Sequence, residues 1–232
     1  LKASYEEILD FSEAKMKEWI KSIPPGRYEA IEYLAYDRLY ALKCALTVGD
    51  GNMVFDFTGT DGQSGTYVNS ALGCSVANLH NIIICMLAGE IEANEGMFRP
   101  VRVIIPEGTV LNCTPPAPCS GASTVGGWKA QSLALKVLSQ AVFQSAERWR
   151  ANAAWGSDIV HLALSGSYEN GKPYMFLCRE GMLQGGGARA TRDGFDVSNI
   201  PGSTNTSVVN VEDMEQRSPC LYLKRGICID SG

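Results

Sequence analysis

Apolar residues recur at helical spacing near the start of the chain, where Ile8, Leu9, Met16, Trp19 and Ile20 fall on one face of residues 4–21. Ser4 and Glu7 have capping-box spacing, Glu13 precedes Lys17 by four, and Pro24-Pro25-Gly26 closes the segment, so a helix is predicted. From Arg27 to Thr58 the period changes towards alternation. Two strand-like runs, Leu39 to Val48 and Met53 to Phe57, meet at Asp50-Gly51, a pair that suits a tight hairpin. An apolar helix from about Val68 to Ala88 follows, then a Pro-bounded strand around Val101 to Ile105 and a Pro/Gly/Ser-rich loop from Thr114 to Gly127.

A second long helix is expected from Trp128 to about Asn152, with Leu135, Leu138, Val142 and Trp149 on its buried face. A second hairpin, Ile159 to Leu164 and Tyr174 to Cys178, turns at Asn170-Gly171. Glycine-rich irregular chain from Gly181 to Ser207 then leads to a strand-like run, Leu221 to Ile229. Helices and hairpins alternate without a βαβ rhythm. The pattern predicts an α+β fold of antiparallel hairpins packed with two long helices, in one domain whose internal boundary, if there is one, falls near 114–127.

Composition narrows the function more than the fold. With 45% apolar residues and a mean hydropathy of -0.04, the chain can build a substantial core. A net charge of -5 without any basic run argues against a nucleic-acid surface. The window Val68 to Gly89 is about as long as a membrane span, but Asn69, Asn78, His80 and Asn81 would sit in hydrocarbon, so a buried helix is the better reading. Eight scattered cysteines without C-x-x-C, and no secretory leader, suggest a reduced, cytoplasmic protein, and the absence of an initial Met suggests an internal or processed segment.

Few residues advertise chemistry. Gly166 to Lys172 spells G-x-x-x-x-G-K, but Pro173 replaces the Ser/Thr and no helix is predicted after it, so a phosphate loop is not expected there. His80 and His161 read as packed histidines, with Asp158 a weak partner for the latter, and no metal-ligand spacing is present. Asp56, Thr58 and Thr60 lie where a strand gives way to a Gly-rich turn, which suits either presentation to a pocket or a turn closed on its own backbone. Arg99 can fork onto an anion or tie its turn to a neighbouring acid. Gly185-Gly186-Gly187-Ala188-Arg189 can form an anion nest or serve only backbone freedom. Cys113, Cys119 and Ser120 flank the Pro-rich loop with no base in sight.

The ordered set Ile23-Pro24-Pro25-Gly26-Arg27-Tyr28, Asp56 to Thr60, Gly65, Asn69, Asn94-Glu95-Gly96, Arg99-Pro100, Pro106-Glu107-Gly108-Thr109, Asn112, Pro116-Ala117-Pro118, Gly185 to Arg189, Asp193-Gly194, Glu215, Pro219 and Asp230-Ser231-Gly232 resembles the B-type subunit of ATP-dependent hydantoinases and 5-oxoprolinases. That family also contains large subunits of acetone and acetophenone carboxylases. The resemblance implies a small-molecule carbonyl substrate and an A-type partner subunit that holds ATP and Mg. It implies an enol phosphate or imidate-like species that is carboxylated or hydrolysed. It implies further that this chain is the C-terminal part of a longer subunit, whose preceding section carries a divalent-metal motif, with no metal site here. Its site residues would come from Asp56, Thr58, Thr60, Asn69 and Arg99, with Gly185, Gly186, Gly187 and Arg189 for an anion or the substrate. Where hydantoinase-type members carry a Ser-Gln-Arg-like stretch, this chain has Val125-Gly126-Gly127-Trp128-Lys129-Ala130, which favours the ketone carboxylase branch over cyclic-amide hydrolysis. A purely scaffolding and docking segment is the third alternative.

Overall fold

A computed structural model describes residues 2–87, 89–154, 162–178, 185–195 and 209–226. Helix α1 (Lys2–Ser22) buries Leu9, Ser12, Met16, Trp19 and Ile20, which is the face the spacing predicts except for Ile8, left 55% exposed one position round from Leu9. Its start at Lys2 leaves Ser4 inside the first turns rather than at the cap. Strands β1 (Gly26–Ala35), β2 (Leu39–Gly49) and β3 (Asn52–Asp56) form an antiparallel meander. The β2–β3 turn places Asp50 at φ 50° and Gly51 at φ 73°, left-handed values that glycine and aspartate tolerate best.

The chain then leaves the sheet through α2 (Leu72–Met86) and the short α3 (Glu95–Phe98) and returns as β4 (Val101–Ile104), parallel to β3. One pair in the sheet is therefore parallel, where hairpins alone were expected. A return through a helix brings the chain back to the same end of its neighbour, which permits only parallel pairing. Helix α2 begins at Leu72 and not Val68 because Ser70 makes sheet-like bonds, its N–H to Val110 O at 2.7 Å and its carbonyl to Cys113 N at 3.0 Å.

One face of the β1-β2-β3-β4 sheet carries Tyr40, Leu42, Leu46, Met53 and Phe55, all buried against α1, α2 and α4 (Gly127–Phe143). Each such side chain adds about 1.5–3 kcal/mol of transfer free energy. The core runs without a break from Met16 to Val142, spanning both sides of the Thr114–Gly127 stretch. Alternation sends Arg27, Glu29 and Ile31 of β1 and Lys43 of β2 to the other face, which no described helix covers.

Helix α4 ends at Phe143, earlier than expected, because the Ser145 hydroxyl donates to Val142 O (2.7 Å) and accepts from Glu147 N (3.0 Å). The change of phase leaves Trp149 50% exposed and turns Arg150 inwards. Arg150 donates to Met86 O (2.6 Å) and Glu147 (2.7 Å) and pairs with Glu90. A hairpin of β5 (Leu162–Ser167) and β6 (Pro173–Cys178) turns at Gly171. Helix α5 (Val211–Arg217), capped by the Asn210 side chain, has no counterpart in the periodicity. Residues 221–226 form no strand, and Leu221 and Leu223 are exposed.

Candidate functional site

Asp56 ends β3 on the open face of the sheet, opposite Ala45 of β2 and Ile104 of β4. It lines a depression of about 520 Å³ together with Arg27, Glu29, Lys43 and Thr58. Asp56 Oδ1 accepts the Thr58 N–H at 2.9 Å. The Thr58 hydroxyl bonded to Asp56 holds its carboxyl below the usual carboxylate range, against the opposing effect of burial, with the Thr58 N–H and the charge of Arg27 adding to it. Arg27 Nε pairs with Glu29 at 2.8 Å, whereas Lys43 has no carboxylate partner among the described residues. The Lys43 stem lies on Gly59, where an added Cβ would stand 3.3 Å from its Cδ. Cys44 beneath contributes no nucleophile, since burial and the charge of Asp56 push its thiol far up.

The other strand-end candidates have different positions. Thr60 is buried and splices the turn to β2, accepting from Lys43 N at 3.1 Å and donating to Lys43 O at 3.3 Å. Asn69, at 0% exposure, accepts from Ser64 N (2.7 Å) and donates towards Ser64 O, Thr66 O and Pro118 O (2.9, 2.9 and 2.8 Å). It ties the Ser64–Asn69 turn to the Pro-rich loop. Arg99 sits at the α1–α3 contact, with Asp10 at 2.7 Å, Glu13 at 3.1 Å and Glu6 at 3.4 Å. The hydrogen bonds it donates to Asp10 and then Glu13 raise its already high pKa. Asp56 and Thr58 therefore share a surface, and Thr60, Asn69 and Arg99 do not line it.

The glycine-rich segment borders a second depression of about 580 Å³, lined by Lys136, Ser139 and Gln140 of α4 and Gln144 just beyond it, with Asn152 and Arg189. Gly186 N–H donates to Phe195 O at 2.7 Å, which removes it from any nest, and Arg189 N–H donates to Arg192 O at 2.9 Å. The Arg189 guanidinium lies 5.7 Å from the Phe195 ring centre and has no carboxylate partner among the described residues. Burial, then the charge of Arg192, lower its pKa. A third depression, lined by Arg27, Glu29, Gln140 and Gln144, shares residues with both others, so the Asp56 and Arg189 surfaces adjoin along the β1–α4 seam.

Gly166 and Ser167 lie in β5 and Pro173 in β6, with no helix to present N–H groups, so these residues do not fit a nucleotide. His80 stacks on Phe98 at 3.9 Å and burial lowers its pKa; His161 and Asp158 lie outside the described residues. Among the described residues no group of three or more His, Cys, Asp or Glu side chains is placed to hold a metal ion. No helix among them is long and apolar enough to cross a membrane.

The model of the Hydantoinase B/oxoprolinase family matches residues 1–232. The chain belongs to that family. A Pseudomonas protein assigned as the B-type component of a D-/L-hydantoinase is 28% identical over 94% of this hydantoinase-B chain, which spans 38% of that relative's length. Two solved structures share the fold: a nucleotide-free acetone carboxylase, with TM-score 0.78 at 18% identity over 88% of this chain and 29% of its own, and the ATP-dependent caprolactamase of Pseudomonas jessenii, with TM-score 0.76 at 19% identity over 94% and 38%.

Within this hydantoinase-B fold, Arg27, Glu29, Lys43 and Lys136 escape a reading of the sequence alone. The alternating exposure of Arg27, Glu29 and Ile31 was the available signal, but placing Lys43 beside them needed the β1–β2 register, which pairs it with Ile31. Lys136 also pairs with Glu32, whose carboxylate accepts from Ser132 Oγ at 3.2 Å and faces Lys129 Nζ at 3.9 Å, so a mostly buried charge cluster backs the seam.

Proposed function

We propose that this chain forms part of the B-type subunit of an ATP-dependent ketone carboxylase, acting on an enol phosphate formed with an A-type partner. The observation that carries this reading is the ionised Asp56, oriented by Thr58 beside Arg27 and the unpaired Lys43 in one open depression. A carboxyl held below its usual range is a poor base and a durable acceptor, so Asp56 orients an O–H or N–H of the substrate rather than abstracting a proton. Lys43 and Arg27 bind an anion such as bicarbonate or a phosphorylated intermediate, and Arg189 offers a second cation along the seam. ATP and Mg are assigned to the partner in this reading, and no step on this chain runs through them. A requirement for ATP, part of this reading, accords with the cytoplasm.

A second reading, ring opening of a hydantoin, oxoproline or lactam with water as nucleophile, draws support from the 28% identity to a hydantoinase component. The complete complex, given ATP, distinguishes them. Incorporation of labelled bicarbonate into a ketone is the expected result, and ring-opened product without any fixed label would replace carboxylation by hydrolysis.

A further inference from the structure

We propose that Gly59 and Thr60 are positioning residues for Lys43, and that the turn containing them holds its amine in place at the Asp56 depression. Strand β3 ends at Asp56, opposite Ala45, yet β2 extends further, to Leu39. The β2 backbone groups that point to this side need other partners there. The turn after β3 supplies them. Asp61 N–H donates to Ala41 O at 2.9 Å, and the Asp61 carboxylate accepts from Ala41 N at 2.9 Å. Further along β2, the Thr60 hydroxyl accepts from Lys43 N at 3.1 Å and donates to Lys43 O at 3.3 Å. A single hydroxyl, able both to give and to receive, thus replaces the N–H and C=O of a neighbouring strand.

The clamp fixes the backbone from which the Lys43 side chain departs, and Gly59 fixes the path of its stem. Gly59 has φ 88°, a left-handed value, and an added Cβ would stand 3.3 Å from Lys43 Cδ and 3.8 Å from its Nζ. The amine therefore rests beside the turn, in the depression that Arg27, Asp56 and Thr58 also line. A lysine stem free to rotate is costly to order around a ligand. Laid against bare backbone, and carried on a clamped strand, it keeps its charge in place before an anion arrives. Thr60 is buried and does not line the depression, so it acts there only through Lys43. The role given to the amine rests on the anion-binding reading proposed above, whereas the clamp is independent of it.

The complete protein is treated with an amine-acetylating reagent at constant ionic strength, alone, with bicarbonate and with inorganic phosphate. Mass spectrometry reads acetylation of Lys43 against that of Lys15, an exposed lysine of α1. In the wild type at least one of the two anions should slow acetylation of Lys43 and leave Lys15 unaffected. Thr60→Val keeps the shape of the side chain without its hydroxyl, and Gly59→Ala crowds the stem. Each should raise the half-protecting concentration about tenfold, the scale of one lost hydrogen bond to a charged group, while Thr60→Ser stays close to wild type. Circular dichroism checks that the variants are folded. A purely structural Thr60 would lower the melting temperature and leave protection unchanged, and that result in folded Thr60→Val and Gly59→Ala would overturn the positioning role alone. No protection of Lys43 by either anion in the wild type would overturn the anion-binding reading and the positioning role with it.

Discussion

Replacing Asn69 by alanine separates an organising role from a catalytic one at a position that the family resemblance marks as a site candidate. The side chain is fully buried, with one acceptor bond from Ser64 N and two amide hydrogens divided among three carbonyls at 2.8–2.9 Å. Three hydrogen bonds' worth of partners are therefore lost together. At about 0.5–1.5 kcal/mol net for each, with an added cost for leaving Ser64 N–H without a partner, the loss comes to about 3 kcal/mol. For a chain of this size that lowers the melting temperature by about 6–12 °C. Asn69→Asp keeps the acceptor but faces a carboxylate to three carbonyls, so it destabilises more than alanine does. Urea unfolding followed by tryptophan fluorescence reads the effect. A midpoint shift corresponding to less than about 0.5 kcal/mol for both variants would refute the reasoning, because the buried network could not then be holding the turn.

At Gly96 an added Cβ would stand 2.7 Å from the Leu9 Cα and closer still to the Leu9 carbonyl oxygen, so Gly96→Ala should force α3 off α1 and cost more than about 2 kcal/mol in a thermal melt. Arg99→Ala should lower the melting temperature only slightly in low salt and hardly at all in high salt, since its three carboxylate contacts are exposed and screened. Arg150→Met is the contrast, with a guanidinium only 6% exposed; urea unfolding should show a loss of about 3 kcal/mol from the stranded Met86 carbonyl and Glu147. The lowered pKa of Asp56 means that its contribution to stability is full above the unfolded value of about 3.9 and disappears as pH falls through the lower folded value. Thr58→Val, removing the largest cause, should move the Asp56 titration upwards in carboxyl-resolved NMR; an unchanged titration would show that Thr58 does not hold the charge.

The elements that sequence periodicity locates well are those whose burial is one-sided and locally encoded. Helix α1 and the Asp50-Gly51 hairpin are of this kind, because spacing and left-handed turn residues specify them without reference to the rest of the chain. The limits of α2 and α4 depart from the periodicity where side chains redirect the backbone, at Ser70, which enters sheet-like bonding, and at Ser145, which caps the turn before Arg150. The parallel β4 could not be foreseen from a strand pattern alone, since pairing sense depends on the route of the connection. The candidate site was legible only in part. Asp56 and Thr58 announce themselves at a strand end, whereas Arg27 and Lys43 reach them across two strand registers. Asn69 and Arg99 stand out in the family pattern for residues that the fold uses to fasten its own turns.

Turnover by the complete protein with the proposed A-type partner, measured with Asp56→Asn in parallel with wild type, tests the central proposal most directly. Asparagine fits the same space but removes the charge that Thr58 stabilises. With assembly intact by sedimentation, we expect product formation to fall by about a hundredfold or more while the melting temperature changes little. Unchanged turnover in an intact complex would contradict the assignment and leave the Asp56 depression as a surface between subunits.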